Sequence, residues 1–445
     1  MEELQMKKLT ALLMALMMAL TCLSFAGAEE NKGYLSTYDV AGAGDVTLDV
    51  MITSLGDSDG GPYLRGVMQA YMDMYPNVKL NPVECSMNNL YTTLINAVTT
   101  NTLPDIFTMS EAYVANCHEM EMGVDNLEEL LGKEYIDQLL PIAVENCSID
   151  GKLVYMPWQN NTTAVVYRKD LFEQYGIGIP KTWDEYIEAA KKLTMDTDGD
   201  GKIDQFGAVV SGTRNDSAES RFQTFALTFG MDFVKVEDGR FVSGFDTPAF
   251  RQAMETYVLL GSGETAPAGF VETGYAEAYK MIAAGTACMY WSASNVLGGI
   301  YNSNPDMQGK MGSFMLPTAE GVDPITSFSS VGMTISRSCK HPEVAADFLK
   351  YMTSVENSLA WNQATRRLPV VKDAIEAIVA SDETYKGFQD AGVTAAIYPA
   401  FAGLAELRDT VAECWQIVVA ENVPLDEAVQ RAVNRAAEVV AANNP

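Results

Sequence analysis

The chain has 445 residues, 48% hydrophobic and 20% charged, with 59 acidic against 30 basic side chains and a formal net charge of −29. That length exceeds what a single core supports, so two domains are expected, and the apolar fraction excludes a disordered chain. A field of that sign repels phosphate backbones and anionic lipid, which excludes nucleic acid as a partner; the acid reads as a solubility device for an exported monomer.

In chain order, Lys7 and Lys8 precede the apolar run LTALLMALMMALTCLSF, and Ala26-Gly27-Ala28 follows it. This is the pattern of a signal peptide over 1–28, which predicts an extracellular or periplasmic protein associated with the cell envelope. A rival reading makes Cys22 a lipid-anchored N-terminus, although Ala19 and Thr21 stand where a lipobox wants Leu and a small residue. A polar spacer covers 29–45. The six other cysteines, Cys85, Cys117, Cys147, Cys288, Cys339 and Cys414, are too irregularly spaced for a metal ribbon or a redox motif. Export permits bridges among them, and buried free thiols are the alternative.

From Val46 strands and helices alternate. VTLDVMIT reads as a strand, GPYLRGVMQAYMDMYP as a helix, VKLNPVEC as a strand, MNNLYTTLINAVTT as a helix, and PDIFTMS as a short strand ending at Ser110. This rhythm predicts a mostly parallel sheet covered by helices, with ligand expected beyond the carboxyl ends of its strands. TTAVVY reads as a further strand. In PKTWDEYIEAAKKLT, Thr182 and Glu185 form a capping-box pair ahead of an apolar face that includes Trp183. QFGAVVS reads as the next strand, YAEAYKMIAAGTACMYW as a helix running into a buried strand, and the closing PLDEAVQRAVNRAAEVVAANNP as an amphipathic helix.

Between that capped helix and QFGAVVS lies DTDGDGKID. Asp196, Asp198 and Asp200 occupy the first, third and fifth positions of an EF-hand-type loop, Lys202 offers a carbonyl from the seventh, and Asp204 fills the ninth. The twelfth position, where a bidentate Glu belongs, is Gly207. These five are the candidate calcium ligands; the incomplete loop reads as a structural brace or a solvated turn, and no cofactor is required for function.

Five stretches, in order, are similar to the extracellular solute-binding proteins of ABC sugar importers, the maltose-binding-protein-like group called family 1. They are AYMDMYPNVKL, LPDIFTMSEAYV, NTTAVVYRKDLFEQYGIGIPKTWDEYIEAAKKLT, AAGTACMYWSASNV and VGMTISRSCKHPEVAADFLKYMTS. The resemblance implies an α/β, two-lobed, type II binding-protein fold with discontinuous lobes joined by hinge crossings. It places an N-terminal lobe at 46–162 plus 333–366 and a C-terminal lobe at 163–332 plus 367–445. It further implies hinge closure over a carbohydrate and delivery to membrane permease subunits.

A sugar is gripped by aromatic rings on its faces and forked polar groups on its hydroxyls. Candidates are therefore Trp158, Gln159 and Asn160 before the first crossing, and Glu111 and Tyr113 after the PDIFTMS strand. Trp291, Ser292 and Asn295 follow the ACMY segment, and Arg366 stands at the third crossing. The family often carries a Trp near Asn295, and Trp291 is either its replacement or a core residue. Arg367, Asp57 and Asp59 are weaker candidates, and Trp361 and Trp415 read as core. The other classes weighed are a secreted glycoside hydrolase, which needs two carboxylates about 5 to 10 Å apart, a calcium-braced adhesion module, and a carrier of glycerol phosphate or a peptide. His118 and His341 are the only histidines and have no metal-ligand spacing.

Overall fold

In the strand Val46–Met51 apolar Val46, Leu48 and Val50 alternate with exposed Thr47 and Asp49, so one face must be covered. It pairs in parallel with Val78–Val83 on one side and Ile106–Ser110 on the other. The sheet then continues antiparallel through Ser330–Ile335, Met156–Asn160 and Leu368–Pro369. The expected mostly parallel sheet is therefore mixed: only its first three strands are joined by helical crossovers, Gly60–Met74 and Leu90–Thr100, while the others arrive from across the molecule. Helix Pro342–Met352 is buried along most of its length, and the Tyr71 hydroxyl of helix Gly60–Met74 donates to its Asp347 at 2.8 Å.

The computed structural model describes Tyr34, 36–261 and 263–444. The signal peptide and Cys22 lie outside these residues. Tyr38 onward forms one compact unit.

A second, antiparallel sheet has Ala164–Arg168 at its centre, flanked by Met289–Ser292 and Met311–Phe314. QFGAVVS is extended beside it but is not a strand. It makes isolated bridges, Met195 with Gln205 and Phe206 with Ala287, and the Val209 N–H reaches the Met289 carbonyl at 3.0 Å. The second lobe's core holds Trp183, Phe225, Tyr257, Trp291 and Trp415. Helix Trp183–Leu193 opens on the predicted capping box. At its far end the Asp-rich turn folds back so tightly that a Cβ on Gly207 would lie 2.0 Å from the Ala190 carbonyl oxygen.

Two connections pass directly between the sheets: residues 161–163 link Met156–Asn160 to Ala164–Arg168, and 328–329 lead into Ser330–Ile335. The third crossing expected at 366–367 instead joins helix Val355–Thr365, which packs on Gly60–Met74, to Leu368–Pro369 of the first sheet. The Asn161 N–H bonds the Ser329 carbonyl at 3.0 Å, and the Ser294 hydroxyl accepts the Leu368 N–H at 2.9 Å. The expected lobe boundaries shift accordingly. Residue 333 falls inside Ser330–Ile335, and Leu368–Pro369, expected in the second lobe, belongs to the first sheet. The six cysteines among the described residues are free thiols, five of them buried. Among the described residues no helix is long and apolar enough to cross a membrane.

Candidate functional site

The cleft between the sheets contains a cavity of about 1000 Å³. The first lobe contributes the turn after Val46–Met51 (Thr53, Ser54, Asp57), Ser110 and Glu111 at the end of Ile106–Ser110, and Gln159. This is the carboxyl-end placement that the sheet rule predicts. The second lobe contributes Asp216, Ser217, Ser220 and Arg221 from helix Asp216–Leu227, with Tyr275, Asn295, Tyr398 and Arg408.

Of the residues singled out in the sequence, Glu111, Gln159 and Asn295 line this cavity, as do the weaker candidates Asp57 and Arg367. Strand alternation decides the fate of their neighbours. Gln159 faces the cleft, so Trp158 points the other way; it is 3% exposed and lies against Trp361, ring centroids 4.5 Å apart. Asn160 is consumed by the crossing, its Oδ1 accepting from the Thr162 N–H at 2.9 Å and hydroxyl at 2.7 Å. Trp291 is core: its ring sits within the Trp183, Phe225 and Tyr257 cluster, and its indole N–H has no hydrogen-bond partner among the described residues. Tyr113 stacks on Tyr91, centroids 4.7 Å apart and planes 8° apart, outside the cavity wall. Asn295 precedes helix Val296–Ser303 without capping it, which leaves its amide for the cleft.

At the end of helix Val355–Thr365 the two arginines exchange roles. Arg366 takes a left-handed conformation, φ 60°, at the end of helix Val355–Thr365, and its guanidinium lies over Tyr301 at 5.7 Å, away from the cleft. Arg367 lines the cavity, stacks over Trp361 at 5.2 Å, and pairs with Asp57 at 2.8 Å and Asp59 at 3.6 Å. The left-handed step turns consecutive side chains to different sides, which spacing along the sequence does not show.

Two cleft arginines were not anticipated. Arg408, only 2% exposed, donates from Nη1 to Asp216 at 2.7 Å, from Nη2 to Glu111 at 3.1 Å, and from Nε to Gln223 at 2.8 Å. Burial works against its charge, but the Asp216 and Glu111 carboxylates outweigh that and hold the guanidinium above its ordinary range. The signal was an arginine on the apolar stripe of helix Leu404–Ala420, between Leu404 and Val411. Arg221 lies over Tyr275 at 4.9 Å and Tyr290 at 5.6 Å, with Nη2 donating to the Ser292 hydroxyl at 2.8 Å. Ser292 therefore positions a cleft residue while being fully buried itself.

In the Asp-rich turn the carboxylates of Asp196, Asp198 and Asp204 come within 4.8 Å of one another. Asp200 instead accepts the Lys202 N–H at 2.8 Å. Both Asp196 oxygens accept backbone N–H groups, from Gly199 at 2.6 Å and Gly201 at 2.7 Å.

The sequence model of the bacterial extracellular solute-binding proteins matches residues 56–358. A probable ABC transporter-binding protein of Deinococcus radiodurans is 25% identical over 56% of this chain and 60% of its own length. The multiple sugar-binding protein of Streptococcus mutans is 23% identical over 62% of this chain and 65% of its own. The chain thus spans under two thirds of the length of these curated relatives. Its fold is that of a solute-binding protein from Thermotoga lettingae solved with α-D-tagatose, with a TM-score of 0.77, 20% identity, and 88% and 99% of the two chains covered. With the matched segment covering well over half of its length and both lobes in place, the chain belongs to the bacterial extracellular solute-binding protein family.

Proposed function

We propose that this protein is the substrate-binding subunit of an ABC importer, that it captures a mono- or oligosaccharide in the cleft by hinge closure, and that it hands the sugar to membrane permease subunits. The observation that carries the reading is the makeup of the cavity wall. Hydroxyls, amides and charged forks from both lobes (Thr53, Ser54, Gln159, Ser220, Asn295) converge on one volume, with Tyr275 and Tyr398 as the aromatic surfaces. Such a wall matches a ligand that is mostly hydroxyl. With Trp158 and Trp291 turned into cores, hydrogen bonds carry more of the affinity than stacking does. The tagatose and multiple-sugar relatives support the same ligand class.

The reading includes no bond-making step. Four of the five carboxylates lining the cleft, Asp57, Glu84, Glu111 and Asp216, are ion-paired with an arginine, and the fifth, Glu277, accepts the Gly274 N–H at 3.2 Å, an arrangement suited to holding shape. No cofactor enters the capture, and the protein acts as an exported monomer, either freed by cleavage after Ala28 or tethered through Cys22. A saccharide panel followed by thermal shift and calorimetry tests the proposal. Saturable binding without turnover is expected. Consumption of an oligosaccharide favours a hydrolase, and a response confined to glycerol phosphate or peptides moves the ligand class.

A further inference from the structure

Away from the crossings, Glu111–Arg408 is the one ion pair among the described residues that ties a first-lobe side chain to the second lobe. Glu111 follows the strand Ile106–Ser110, and Arg408 sits on helix Leu404–Ala420, 297 residues further along. The pair is well shielded, with side-chain exposures of 15% and 3%. Glu111 and Tyr398 also border both the main cavity and a smaller one of about 280 Å³, so the bridge forms part of the wall between the two.

The partners divide unequally between the lobes. Asp216 and Gln223, the other groups on Arg408, both belong to helix Asp216–Leu227 and travel with Arg408. Opening the cleft therefore strips Arg408 of a single partner and releases Glu111 into water. A charge that retains two of three partners when the third departs makes a reversible contact; an arginine left bare would make a permanent one.

We propose that Glu111–Arg408 is a closure latch, setting the fraction of ligand-free protein whose cleft is shut and thereby the affinity for whatever the cleft captures. The inference rests on the hinge-closing reading of the cleft and adds its regulation. A ligand that binds the shut form sees an affinity scaled by the population of that form. Glu111→Gln keeps the shape of the side chain, removes its charge, and leaves Arg408 with Asp216.

The test is small-angle scattering of the ligand-free mature chain at low and high salt. The wild type is expected to be compact at low salt and to expand at high salt, as an ionic latch requires. Glu111→Gln is expected to be expanded at both, with an unchanged circular dichroism spectrum and binding weakened by about 5- to 150-fold. Identical low-salt profiles for wild type and variant overturn the latch. So does a wild-type profile that ignores salt, a measurement that stands even where the variant does not fold. If the variant expands but no saccharide binds either protein, the latch holds and the sugar reading falls. If sugar binds and the variant loses affinity with no change in its ligand-free profile, Glu111 is a ligand contact and the latch falls.

Discussion

The Trp158 ring lies 4.5 Å from the Trp361 ring, centroid to centroid, on the strand face opposite Gln159. One residue step along Met156–Asn160 separates a core position from a cleft position. The two substitutions therefore have opposite signatures. Trp158→Ala empties a buried site and is expected to cost about 3–5 kcal/mol of stability. Gln159→Ala touches only the cleft wall and is expected to leave the melting temperature within a degree or two while weakening saccharide binding about five- to tenfold. Denaturant titration paired with calorimetry checks both. A stable Trp158→Ala protein that has lost its ligand reverses the assignment.

Arg366 and Arg367 diverge in the same way. Arg366 pays the left-handed backbone strain that glycine avoids, so Arg366→Gly is expected to stay within about 1 kcal/mol of wild type and to bind normally. Arg367→Ala leaves Asp57 and Asp59 without their cation and removes the guanidinium from over Trp361. A loss of about 1–3 kcal/mol is expected, together with weaker binding. Equal effects from the two variants, measured by unfolding and by binding, contradict the geometry.

The Asp-rich turn shows why its calcium pattern is incomplete. Residue 207 cannot carry a side chain, because its Cβ would collide with the Ala190 carbonyl. Gly207→Glu, which completes the ligand pattern on paper, is therefore expected to destabilise the second lobe by several kcal/mol. It is also expected to gain no calcium-dependent rise in melting temperature. Thermal scans with calcium and with chelator measure both, and a calcium-dependent gain in the variant refutes this account. The same scans on the wild type show whether Asp196, Asp198 and Asp204 hold an ion.

Much of the fold was legible because local chemistry and tertiary structure agree. Thr182 and Glu185 cap the helix they predict, and the apolar alternation of Val46, Leu48 and Val50 faces the core. The site was legible where a strand end is exposed by rule, as at Glu111. It was hidden where orientation depends on a partner far along the chain. Trp158 is turned inward by Trp361, and Arg408 becomes a cleft residue only because Glu111 and Asp216 stand opposite it. Pattern periodicity sorts residues into faces; which face meets the ligand is decided by how the crossings bring the two sheets together.

Glu219 supplies a pH prediction. It lies on helix Asp216–Leu227 and is 6% exposed. Burial, then the Asp216 and Asp409 carboxylates, push its carboxyl up from the usual 4.5 to about 7, against the pull of Arg408 and Arg214. Between those values the folded protein holds a proton that the unfolded chain has shed, so this group lowers stability as pH rises from about 4.5 to about 7, and the loss is complete above that. Glu219→Gln removes the charge and keeps the shape. Its stability should match wild type near pH 4.5 and exceed it at pH 8, by on the order of 1 kcal/mol, read as a higher melting temperature there. Melting curves across that range decide the matter: a variant less stable than wild type at pH 8 shows that Glu219 stays ionised in the fold and that the neighbouring arginines prevail over burial.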